Sequence, residues 1–124
     1  MLIDSFDNEP TPGGQYEKVI ETDLVADDGL PRRIVKRFRG RPLERVSVAL
    51  EERRDGITGI LVRYDNAHDT FHRHTPGWPE PGGQDIALPQ VSRRQAAAFA
   101  EAEIRACYAT WEAQVFGQEG DDLK

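Results

Sequence analysis

Apolar and polar positions alternate most regularly between residues 45 and 65. In RVSVALE (45–51), Val46, Val48 and Leu50 alternate with Ser47 and Ala49, the period-two pattern of a half-buried strand. ERRDG (52–56) closes a hairpin, because glycine after aspartate permits the positive φ that a tight turn requires. ITGILVRYD (57–65) runs back, with Ile60, Val62 and Tyr64 expected on one face and Leu61, Arg63 and Asp65 on the other. Residues 32–38 add a further strand, ADDGLP (26–31) reads as a turn, and the irregular apolar spacing of 16–25 fits a strand or a short helix. The proline-rich stretch from Thr75 to Pro89 is expected to lack regular structure, with Trp78 packed as a plug on the sheet edge.

The period then changes. Ala97, Ala100, Ile104, Tyr108, Trp111 and Val115 form one stripe at 3–4 spacing, which predicts a long helix covering the apolar face of the sheet. Ser92 and Gln95 make a capping box at its start, and Gly117 supplies the stop. The predicted fold class is α+β: an antiparallel β-meander of three to four strands packed against one long C-terminal helix.

Length and composition limit the classes of function. A chain of 124 residues suits a single domain, expected over 15–117, between an acidic N-terminal tail (1–14) and an acidic C-terminal tail (118–124). No apolar run approaches the ~20 residues that span a bilayer, and MLIDSFDNEPTPGG lacks the basic-then-apolar order of a signal peptide. The lone cysteine, Cys107, excludes an internal disulfide framework and a cysteine-rich zinc site, so a cytoplasmic location is expected. The net charge of −6 hides an asymmetry: residues 32–45 carry seven basic side chains against Glu44 alone. Such a strip can track phosphates even on an acidic protein, or it can be a solvated edge strand. Arg37, Arg39 and Arg41 within it, with Arg93 and Arg94 in the first helical turn, are candidate nucleic-acid contacts. The two helix arginines oppose the helix dipole and call for an anion.

All three histidines fall in YDNAHDTFHRH (64–74). A four-residue loop, 66–69, would pair Tyr64 with Phe71 and Arg63 with His72, gathering Arg63, Asp65, His72 and His74 on one polar face. A five-residue loop would instead turn the histidines into the core. The first register is preferred for its aromatic pair, and it leaves Arg73 on the apolar face, snorkelling toward the edge. In that register His72 and His74 can serve as an acid–base pair in phosphodiester cleavage, with Asp65 orienting one imidazole and Arg63 holding phosphate. No cofactor is then required. The alternative is a divalent metal such as zinc on His68, His72 and His74. A polar hairpin tip without any site is the third reading, and a protein-binding module using Trp78 and the helix face is a non-catalytic one.

The ordered set Tyr64, Asp65, Asn66, His68, His72 and His74, following a basic strand hairpin and preceding a closing helix, resembles the small TumE-type toxin family of bacterial toxin–antitoxin systems, or a neighbouring small-domain family sharing the YDN…HxH hairpin. The resemblance covers residues 43–76. Phe71 stands where that family commonly has proline, and HTPGWPEPGG is an added stretch. The resemblance implies a cytoplasmic toxin held by a partner antitoxin, with RNA or translation as its target.

Overall fold

In the computed structural model, residues 17–40, 45–66, 70–83 and 85–117 are described. They form six strands, β1 (Glu17–Asp23), β2 (Arg32–Arg39), β3 (Arg45–Arg54), β4 (Ile57–Asp65), β5 (His72–His74) and β6 (Asp85–Ala87), followed by helix α1 (Arg93–Glu112) and a π-helical turn (Ala113–Gly117). The strands lie side by side in sequence order, each antiparallel to the next. The α+β meander with a C-terminal helix is therefore present, with six strands where three to four were expected.

The extra strands are the short and the exposed ones. β1 is an edge strand whose outer side chains are charged, so its apolar alternation is weak; Ile20 remains exposed. β6 lies inside the stretch expected to be irregular. Its three residues, Asp85 to Ala87, fall between Gly83 and Pro89 and contain no proline, so every backbone donor is free to pair.

One face of the sheet holds the core. Ile34, Val46, Val48, Leu50, Val62 and Tyr64 pack against Ala96, Ala97, Ala100, Ile104 and Trp111 of α1. Cys107, Tyr108 and Val115 are half-buried against this cluster. The capping box is formed: the Gln95 backbone N–H donates to Ser92 Oγ (3.2 Å), and the Ser92 N–H donates to Gln95 Oε1 (3.2 Å). At the other end, Arg32 is buried and donates to both carboxylate oxygens of Glu112 (2.7 and 3.0 Å), tying the last helical turn to β2. The same guanidinium grips Asp28 in the 26–31 turn, which holds that carboxyl well below its ordinary range.

Two local features redirect side chains. Asp55 and Gly56, both at positive φ (54° and 80°), form the two-residue turn between β3 and β4. Further along β4, Leu50 pairs with Val62 but Glu51 pairs with Ile60, so Leu61 is a bulged extra residue. The bulge corrects the expected faces. Leu61 enters the helix-side core, and Ile60 moves to the opposite, polar face beside Arg63 and Asp65.

β5 is short, and the chain beyond it closes the β4 edge differently. The Gly77 N–H donates to the Leu61 carbonyl (3.0 Å), and the Ile60 N–H donates to the Pro79 carbonyl (2.8 Å). Trp78 is half-buried there, packed edge-on to Phe116 at 5.7 Å between ring centroids, the plug role expected for it. Gly59 permits this approach: a Cβ on it would lie 2.8 Å from the Pro79 carbonyl and 2.9 Å from the Trp78 ring. The expected tails, together with Arg41 and His68, lie outside the described residues.

Candidate functional site

The YDN triplet divides its labour by strand parity. Tyr64 points into the core, where its hydroxyl donates to Glu103 of α1 (2.5 Å). Burial first, and then the Glu103 carboxylate, push the Tyr64 phenol far above its ordinary range. Asn66 is structural: its side-chain oxygen accepts from the backbone N–H of buried Val46 (2.9 Å), tying the end of β4 to the start of β3. Asp65 points to the other side of the sheet, away from the helix.

The register there departs from the expected one by two residues. Tyr64 pairs with Arg73 and Asp65 with His72, so the loop is longer than four residues. A shift of two preserves parity, and the side chains keep their expected faces. Tyr64 and Phe71 still stack, with centroids 6.1 Å apart and planes at 24°, as diagonal neighbours instead of directly opposed ones. Arg73 lands on the apolar face as expected, yet it does not snorkel outward. It donates to Glu103 (2.8 Å) and lies over the Trp111 ring at 5.1 Å.

On the polar face Asp65, His72 and His74 converge. His72 Nε2 lies 3.1 Å from Asp65 Oδ1, and His74 Nε2 lies 3.4 Å from Asp65 Oδ2. The two imidazoles meet edge to face with centroids 5.2 Å apart. His72 Nδ1 sits 2.8 Å from the Thr70 carbonyl, an acceptor, which places the proton of the neutral ring on Nδ1 and leaves Nε2 as the lone-pair atom. A fourth residue joins from β6: Asp85 approaches His74 Nδ1 at 3.1 Å and His72 Nε2 at 3.9 Å. Sequence reading missed Asp85 because it lies in the proline-rich stretch. The only signal was the short proline-free DIA segment, which can hydrogen-bond as a strand.

The basic strip is split by the same parity. Arg32 and Lys36 turn to the helix side, where Arg32 is buried among acids and Lys36 pairs with Glu101. Arg37, Arg39, Arg45 and Arg63 line a depression of about 470 Å³ on the helix-free face, together with Ser47, Glu51 and Asp65. One cross-strand row runs Arg37, Ser47, Asp65, His72, Ala87 across four strand junctions. Arg39 and Arg45 stand directly opposite each other across β2 and β3. No ion pair of Arg45 or Arg63 is found among the described residues.

Comparison with protein-family models, curated proteins and solved structures gives no match. The site must therefore be read from its own geometry.

That geometry brings together His72, His74, Asp65 and Arg63, with Arg37 and Arg39 on the same face. It separates Arg93 and Arg94 from them. Those two line a groove on the helix side with Lys18, Lys36 and Arg105, and Arg93 donates to the Arg39 carbonyl (3.1 Å). That carbonyl is an acceptor for the Arg93 guanidinium in the first helical turn. No helix among the described residues is long and apolar enough to cross a membrane.

Proposed function

We propose that this protein is an RNA-directed phosphodiester-cleaving protein of the toxin type, with its reacting groups at Asp65, His72 and His74. The observation that carries this reading is the shared face: an arginine-lined depression ends at the one cluster of imidazoles and carboxylates found among the described residues. Arg37, Arg39, Arg45 and Arg63 bind backbone phosphates, and a phosphate drawn along the Arg37–Ser47–Asp65 row arrives beside the histidines. An acidic protein carrying such a cytotoxic face would be held by a partner antitoxin, as the resemblance implies.

The test uses the tag-free full chain and a labelled single-stranded RNA. Four arginine–phosphate contacts predict a log–log salt slope of about −3, so affinity should fall about 50-fold between roughly 50 and 200 mM salt. Arg37→Glu with Arg63→Glu should weaken binding at least tenfold, whereas His72→Ala should keep binding and lose cleavage. Expression in a bacterium should arrest growth, and His72→Ala should relieve the arrest. RNA that binds the double charge reversal as tightly as the wild type, or unhindered growth on wild-type expression, would sink this reading.

A further inference from the structure

We infer that Asp65, His72 and His74 hold a single divalent cation of the zinc–manganese class, with Asp85 as the fourth group at its rim. Each of the three offers a ligand atom, and these atoms lie within 4.8 Å of one another, a spread that one ion can span. The donors are nitrogen and oxygen without sulfur, and two carboxylates with two neutral imidazoles carry the charge that balances a divalent ion.

His72 gives the more specific reason. Its Nδ1 is committed to the Thr70 carbonyl, so the lone pair of Nε2 faces Asp65 Oδ1 at 3.1 Å. Two acceptors at that distance repel unless a proton or a metal ion lies between them. A backbone carbonyl on the far nitrogen is also the usual outer support of a metal-bound imidazole, fixing tautomer and ring plane together. His74 repeats the pattern with a side chain, since Asp85 lies 3.1 Å from its Nδ1 while Nε2 turns to Asp65.

The same distances disfavour an acid–base pair. Two imidazoles that exchange protons across a phosphate must leave room for it between them. Here both Nε2 atoms converge on one carboxylate, with ring centroids 5.2 Å apart. The third metal ligand is Asp65, from β4, where sequence reading offered His68. The inference rests on the cleavage reading only for what the ion does there, namely polarising a phosphoryl oxygen and acidifying a bound water.

Isothermal titration of the tag-free full chain with zinc chloride and with manganese chloride tests the site, with magnesium chloride as the hard-ion comparison. One equivalent of zinc or manganese per chain is expected. Asp65→Asn and His74→Ala should each weaken it at least tenfold, and His68→Ala should leave it unchanged. Asp65→Asn keeps the side-chain volume, and His74 is half-buried, so loss of uptake in both with unchanged circular dichroism separates ligation from unfolding. No uptake by the wild type, uptake unaffected by both variants, or dependence on His68 instead of Asp65 would each overturn the inference. RNA left intact by the metal-loaded protein would remove the cleavage reading and leave this site standing.

Discussion

Replacing Glu52 by glutamine should stabilise the fold at neutral and alkaline pH. Glu52 lies on the helix side of β3 and is buried to 1% exposure. Arg54 donates to its Oε1 at 2.7 Å, while Oε2 lies 3.8 Å from Arg32 Nε and has no hydrogen-bond partner among the described residues. Burial, and then the neighbouring Glu112 carboxylate, push the Glu52 carboxyl from the ordinary 4.5 up to about 7, against the pull of Arg54. Glu112 goes the other way. Its own burial opposes ionisation, but the Arg32 and Arg54 guanidiniums hold it below the ordinary value.

A raised carboxyl pKa means that the folded state holds the proton more tightly than the unfolded chain. The contribution is complete below pH 4.5 and is lost as pH rises through about 7. At 1.36 kcal/mol per pKa unit, the loss approaches about 3 kcal/mol, a ceiling that relaxation of Arg32 and Arg54 toward the charge would lower. The lowered carboxyls of Glu101 and Glu112 act in the opposite sense and at lower pH, below this window. Urea unfolding of the wild type and Glu52→Gln from pH 4 to 8.5 isolates the effect as a difference. The two proteins should match near pH 4, and the variant should gain up to about 3 kcal/mol by pH 8. Parallel stability curves over that range would refute the reasoning.

Two further predictions concern residues that frame the site. Asn66→Ala should cost about 1–3 kcal/mol in urea unfolding, because the buried Val46 N–H loses its acceptor. Metal uptake by the folded fraction should persist, and its loss would give Asn66 a role at the site. Gly59→Ala should cost about 1–3 kcal/mol, since its Cβ would meet the Pro79 carbonyl and the Trp78 ring; an unchanged urea midpoint would show that this loop can move aside.

The sequence by itself determined the elements whose signal is local. Alternation in RVSVALE, the Asp-Gly turn, the Ser92–Gln95 capping box and the Ala100–Ile104–Trp111 stripe each reflect a backbone and side-chain preference that acts within a few residues, and each is present in the fold. The preferred hairpin register also put Asp65, His72 and His74 on one face, and that placement stands because the actual register differs from it by two residues, which keeps strand parity. What the sequence did not contain was the length of the 65–72 loop, the Leu61 bulge, the strand at Asp85 and the fate of each arginine. These depend on pairing between distant segments. A bulge is chosen by how two strands and the Trp78 loop pack, which moves Ile60 to the polar side and Leu61 inward. Asp85 reaches His74 only because a three-residue strand adds to the β5 edge. Seven basic residues read as one strip, but strand parity sends Arg32 and Lys36 to acids on the helix side and leaves Arg37, Arg39 and Arg45 on the helix-free face with Asp65. Composition gives the charge, and only the tertiary structure decides which charges face the same solvent.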